Sequence, residues 1–333
     1  MPRLDRLWYE IDAQTQGFDR GIVQSESRLK SFTEYAKSNP VAVLGALGVA
    51  ATLAGAKLAQ MAAGFERQMA MVKTVLDPTQ ASLADLSQGV KDLFRDLPID
   101  SIEELTKGLY DIISSGINAG KAMEFLRVAS DAAIGGATSV AVAVDGLTTA
   151  VNAFKGDALS VEQASDIMFQ TVNKGKVTFA ELSKAMGQGA AIAAGTGVSF
   201  ADLNASVAQL SLGGLDAAMS MVGVRSAIVN ILKPNEQFVK QFPEIAREFN
   251  RTKLAAVGFT GFLSELSVAA KGNSEVFTRL FSDVQGFNAV MALTANDGGA
   301  ALRGMLKDVE GAAGAAGNAA RILGASRQKS RWR

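Results

Sequence analysis

Carboxylates are the first residues in this chain that could do chemistry. Glu103 with Glu104, and Asp202 with Glu181, form pairs of the kind that glycoside hydrolysis uses, one acid and one base or nucleophile across a scissile bond. All four also fall in the first turn of an expected helix, where negative charge suits the positive end of the helix dipole. That placement accounts for them without catalysis. Arg225 could hold a carboxylate or a phosphate, although one Arg in a helix is more often a surface or helix-capping group. Gly135-Gly136 and Gly213-Gly214 lack the spaced glycines and the lysine of a phosphate loop.

Little else in the composition supports catalysis. The 333 residues include no cysteine and no histidine, which removes disulfides, thiolate nucleophiles, haem and thiolate zinc sites, and the usual triads. No enzymatic activity, cofactor or metal is expected. Lys plus Arg number 33 and Asp plus Glu number 33, so no general field attracts nucleic acid or anionic lipid, and no specific nucleic-acid binding is expected. The one basic run, Arg321, Arg327, Lys329, Arg331 and Arg333, reads as a solvated end. The start, with Arg3, Asp5 and Arg6, lacks the apolar stretch of a signal peptide, so synthesis in the cytoplasm is expected.

The elements that would position these residues are helices. Apolar residues make up 48% of the chain, with only 2 Trp, 3 Tyr and 6 Pro. Alanine is the commonest residue of that fraction and 33 glycines stand beside it, which favours close-packed helices over sheets. The expected class is all-α, a multi-helix bundle or a short α-solenoid of capped helical hairpins. Ser101-Ile-Glu-Glu104, Ser160-Val-Glu-Gln163 and Thr178-Phe-Ala-Glu181 have the capping-box form, and Ser199-Phe-Ala-Asp202 is a near variant. With Asn118 and Ser139 as further N-caps, helix starts recur about every twenty residues. Glycines close the same units: Gly116, Gly135 with Gly136, Gly156, Gly175, Gly195 with Gly197, and Gly213 with Gly214.

Two elements precede this series. Leu7, Tyr9 and Ile11 alternate as in a strand, and then Phe18, Ile22, Ser25, Leu29, Phe32 and Ala36 take up the spacing of a coiled-coil seam. The seam is short, so a helix packed on its own domain and an oligomer seam through Phe18, Ile22, Leu29 and Phe32 both stay open. Pro40 ends it. Val41 to Ala56 is an uncharged Ala/Gly-rich helix that continues to Ala63; its sixteen residues rise only about 24 Å, short of a bilayer core of about 30 Å. It reads as a buried helix with small residues for close approach, with conditional membrane insertion as the alternative. The chain therefore divides into 1–39, 40–64, a helical domain 65–296, and a Gly/Ala-rich, basic tail 297–333.

From Phe65 the order of elements resembles the phage tail tape measure family. The quoted elements begin with Phe65-Glu66-Arg67-Gln68-Met69-Ala70-Met71-Val72, Leu109 to Gly116, and Val151-Asn152-Ala153-Phe154. They continue with Val177 to Leu182, Gly195 to Leu203, and Gly213 to Pro234 with Gly223-Val224-Arg225-Ser226. Phe277 to Leu293, containing Phe281, is similar to the closing helix, with Ser282 where glycine is common. The resemblance covers roughly 65–296.

It implies a structural protein of the virion tail lumen, present in a few copies, that templates tail tube assembly and length and leaves at genome ejection. Its implied partners are copies of itself, tail tube and tail tip or baseplate proteins, and a tail assembly chaperone. Assistance to genome passage through the host membrane, by way of the apolar helix, is the alternative. Even one unbroken helix of 333 residues would reach only about 500 Å, so long ruler sequence is not present here.

Overall fold

Small polar residues set where the helices begin. A computed structural model of the chain describes residues 62–99, 101–271, 273–295 and 298–331, with side chains through Leu323. The strand, seam and apolar-helix expectations for 1–61 lie outside the described residues. The described part contains seventeen α-helices and no strand. They are α1 (62–75), α2 (Leu83–Asp96), α3 (Ile102–Ser114), α4 (Ala122–Gly135), α5 (Val140–Ala153) and α6 (Val161–Lys174). Then come α7 (Phe179–Ala185), α8 (Ala190–Thr196), α9 (Phe200–Leu212), α10 (Ala217–Leu232), α11 (Glu236–Gln241) and α12 (Pro243–Glu248). The last five are α13 (Arg251–Ala269), α14 (Ser274–Leu280), α15 (Val284–Thr294), α16 (Ala300–Glu310) and α17 (Ala315–Arg331).

At Ser160 and Thr178 the side-chain oxygen accepts the N3 amide while Gln163 and Glu181 reach back to the cap amide, which closes both boxes. Ser139 and Ser199 accept from Val142 and Asp202, and Asn118 caps a short turn ahead of α4. At Ser101 the box expected from the spacing does not close. Ser101 accepts the Glu103 amide, and Glu104 instead accepts the Val140 amide at 2.7 Å, capping α5 thirty-six residues away. A carboxylate at N3 can serve any helix start within reach, and here α5 begins beside α3.

Replacing Thr178 by Ala should cost about 0.5–2 kcal/mol, because the hydroxyl's bonds with the Glu181 amide and carboxylate are lost while the Thr178 amide keeps its bond to Glu181. Replacing Ser101 by Ala should cost about as much, since its hydroxyl likewise bonds one amide and one carboxylate, both of Glu103. Urea midpoints of the two variants measure this, and an unchanged midpoint in either would contradict the cap assigned to that residue.

Glycine does not always supply the left-handed residue. Gly116, Gly197 and Gly214 have positive φ. After Gly135-Gly136 and Gly156, however, alanine does, with Ala137 at φ 49° and Ala158 at φ 54°. Gly135 and Gly136 are needed for space. A Cβ at Gly136 would lie 2.7 Å from the Phe179 side chain, and one at Gly135 would lie 3.2 Å from Ala319.

The bundle is organised around α9. Eleven of its thirteen residues are buried, including Asp202, Asn204, Ser206 and Ser211, so it is covered on every side. α6, α8, α10, α13, α15 and α16 pack against it. α16 and α17 return from the end of the chain to α9 and to α4 and α6. A solenoid has only neighbour-to-neighbour contacts, and this closure makes a bundle. Within the stretch expected as a tail, Ala300–Glu310 and Ala315–Arg331 are helical, and its alanines and glycines allow the close approach of α17 to α4 at Gly135.

The α13 helix is broken. Gly258 has φ 71° and ψ 177°, a conformation open in practice to glycine alone. The Asp202 carboxylate accepts the restart, from the Phe259 and Thr260 amides and the Thr260 hydroxyl.

Candidate functional site

The expected carboxylate pairs are each engaged at helix starts. Glu103 accepts from the Ser101 hydroxyl and Glu104 from the Val140 amide. Glu181 accepts the Thr178 amide and hydroxyl, both at 2.8 Å, and those bonds hold its carboxyl below the usual range. Asp202 is committed to α13. Among the described residues no cluster of three acidic side chains is arranged to hold a metal ion.

The motif residues gather at three places. On α1, Phe65, Met69 and Val72 recur at helical spacing and are buried, while Glu66 faces solvent. The Lys91 ammonium stands over the Phe65 ring at 5.3 Å, joining α1 to α2.

The second place is the corner where α3 ends and α6 begins. Gly116, at φ 88°, turns the chain out of α3. The Asn152 side-chain amide donates to the Ser115 carbonyl at 3.0 Å, which ties the end of α5 to the end of α3. Phe154 is buried edge-on against Phe200, with ring centroids 5.2 Å apart. Gly116, Asn152 and the Ser160 cap line a shared groove of about 300 Å³ with Lys121, Glu124 and Lys155.

The third place is the crossing of α10 and α15. A Cβ at Gly223 would lie 2.8 Å from that of Ala289, and one at Gly286 would lie 3.0 Å from the Ala227 amide nitrogen, so the two helices touch backbone to backbone. Asp283 pins the crossing by capping α15 through the Gly286 amide and by accepting from Ser226 and Asn230. Burial raises its carboxyl, but the bonds from Gly286, Ser226 and Asn230 outweigh that and leave it below the ordinary value.

Arg225 points to solvent from the opposite side of α10 and makes no ion pair among the described residues. Pro234 follows the end of α10, just before the Asn235 cap of α11. Phe281 is buried and stacked near Phe277 at 6.4 Å. Beside the crossing runs a groove of about 320 Å³ lined by no charged residue, with Met219 and Val284 exposed at its edges. The seam residues Phe18, Ile22, Leu29 and Phe32 lie outside the described residues.

Sequence reasoning missed Asp283, Ser226 and Asn230 as one cluster. Ser226 and Asn230 stand four apart on α10, but Asp283 joins them from more than fifty residues away, and only a cap signal before Val284 was available to suggest it.

Comparison with known proteins follows the same geometry. The sequence matches the phage-related minor tail protein family over residues 80–286, from the loop before α2 into the start of α15. It is also similar to a protein of Clostridium phage phiCD119 named "Probable tape measure protein", at 24% identity over 286 residues. That similarity covers 81% of this chain and 30% of the phage protein, so the chain spans less than a third of that relative's length. No solved structure matches. The family match takes in Gly116, Asn152, Phe154 and Gly223, the residues that turn, tie and cross the helices, and the chain belongs to the phage-related minor tail protein family.

Proposed function

We propose that this phage tail protein is a tape measure protein, or the globular region of one. In that role it occupies the tail lumen in a few copies, templates tube assembly and tail length, and leaves ahead of the genome. The observation that carries the reading is the similarity to the phage protein named for that role, which runs through this helical bundle but covers only 30% of its length. A ruler converts residues to length at about 1.5 Å each, and the longest helix here, the broken α13 with 19 residues, spans under about 30 Å. The bundle is thus suited to organising one region of the tail, while length would reside in other sequence.

Tail tube proteins, tail tip or baseplate proteins and the tail assembly chaperone are the proposed partners. No described helix is long and apolar enough to cross a membrane, and the Val41–Ala63 segment behind the alternative reading lies almost wholly outside the described residues. The test is genetic. Disrupting the gene in the genome that carries it should leave heads without tails, or tubes of uncontrolled length, by electron microscopy, and the protein should be found in purified tails by mass spectrometry. Normal tails of unchanged length from the disrupted genome would overturn the proposal.

A further inference from the structure

A groove of about 470 Å³ opens where the start of α9, the first turns of α6 and the turn between α16 and α17 meet. Its floor is apolar, made by Phe154, Phe200, Leu159 and Ile167. Its rim carries Asp157, Glu162, Asp166 and Glu310, and no Lys or Arg lines it. Asp166 is already engaged, accepting the Gly314 and Ala316 amides at the start of α17. The other three carboxylates make no ion pair among the described residues. The repulsion from Glu310 adds to the burial that pushes Asp202 up, so the field of this rim is felt inside the bundle.

The complementary surface is in the same chain. Residues 321–333 hold Arg321, Arg327, Lys329, Arg331 and Arg333, and no acidic residue occurs from 311 to 333. Beside Arg321, Ile322 is 71% exposed and Leu323 is 40% exposed, so the segment offers apolar side chains as well as positive charge. Through Arg331, the backbone of the segment runs away from the groove of its own copy. α17 starts at the groove rim and carries the Arg327 backbone about 18 Å along its axis, and that of Arg331 further still.

We propose that copies of this chain associate head to tail, with the basic segment 321–333 of one copy docking in the acidic, apolar-floored groove of the next. Such a contact is heterologous: each copy has one donor and one acceptor surface, and association builds a row or closes a ring. The attraction is between partly solvated charges, so it is salt-sensitive, and the apolar floor sets the register. The inference concerns how copies join and does not depend on a role in the tail.

Sedimentation velocity on the full chain tests it. The wild type should associate in a concentration-dependent way at low salt, with affinity falling by about tenfold or more at high salt. Asp157→Lys with Glu310→Lys neutralises the groove, since two lysines then face the two remaining carboxylates, Glu162 and Asp166. Both positions are exposed, and a lysine in the last turn of α16 suits the helix dipole, so the fold should persist. Arg327→Glu with Arg331→Glu largely cancels the charge of the segment, leaving Arg321, Lys329 and Arg333 against two carboxylates. Each variant alone should be monomeric, and an equimolar mixture should form one-to-one pairs and stop there, because the first retains a donor and the second an acceptor.

Circular dichroism follows folding, and Asp157→Asn with Glu310→Gln serves if the lysines disturb it. A monomeric wild type at low salt, association that survives both pairs of substitutions, or a silent mixture would overturn the proposal. So would duplex DNA bound by wild type and groove variant alike but not by the segment variant, with no association of copies, since the segment would then serve nucleic acid.

Discussion

Replacing Asp202 by Ala should lower the stability of the bundle by about 2–5 kcal/mol, because the Phe259 and Thr260 amides would be left buried without a partner, at roughly 1–3 kcal/mol each. Asp202 stands on the most buried helix of the fold and is itself 3% exposed. It caps a helix that restarts after Gly258, where a Cβ would lie 2.6 Å from its own Oδ2. Carboxylate and glycine therefore form one device: the glycine permits the break and the carboxylate satisfies the buried amides that the break frees. Asp202→Asn keeps one acceptor oxygen and should lose less than Asp202→Ala. Urea unfolding of the three proteins measures the order, and an Ala variant within about 0.5 kcal/mol of wild type, the level of an ordinary surface change, would refute the role assigned to the carboxylate.

The same residue gives a pH dependence with a definite sign. Burial pushes the Asp202 carboxyl above its ordinary value, and the bonds from Thr260 and Phe259 only partly offset this, with Glu310 pushing it further. A group raised on folding binds its proton more tightly in the native state, so its contribution is full below the unfolded value of 3.8 and is lost as pH rises through the folded one. The stability difference between wild type and Asp202→Asn should therefore move in favour of wild type as pH falls from neutrality towards that range. Taking the difference removes the titration of the other carboxylates. A difference that is flat in pH, or that moves the other way, would show that the amide bonds outweigh burial.

The helical class and the series of starts were legible because caps act locally. Ser160, Thr178 and Ser199 each work on an amide two or three residues ahead, and four consecutive letters contain the whole interaction. What was not legible is what acts at a distance. Glu104 serves α5 and Asp202 serves the middle of α13, and nothing in the spacing around either residue names the partner.

Alanine and glycine were ambiguous for a related reason. In 297–333 they suggest a tail, and in Gly135-Gly136 they suggest a left-handed stop, yet in both places they let helices pack closely. Small residues leave no hydrophobic stripe to read, so their meaning depends on what lies opposite. The candidate site was legible as a set of motif positions, Gly116, Asn152, Phe154 and Gly223, but not as two corners of one bundle. Arg225, prominent in the sequence element, sits in solvent while its neighbour Ser226 binds Asp283.

Phe154 should be the most sensitive of the motif positions, with Phe154→Ala costing about 3–5 kcal/mol. The ring is 1% exposed and meets Phe200 edge-on, so truncation removes both its burial and an aromatic pair at the start of the central helix. α9 cannot easily collapse into the space, because its other faces are held by α6, α10, α13, α15 and α16. Phe154→Leu, which refills much of the volume, should recover more than half of the loss. Asn152, two residues earlier in the same element, is exposed and makes one hydrogen bond to the Ser115 carbonyl, so Asn152→Ala should cost only about 0.5–1.5 kcal/mol. Thermal or urea unfolding of the three variants separates the roles. A loss at Asn152 as large as that at Phe154 would mean that this corner is held by the tie between α3 and α5 and not by the ring. Because Phe154 also floors the acidic groove, Phe154→Leu should keep the association of copies measurable where Phe154→Ala would not.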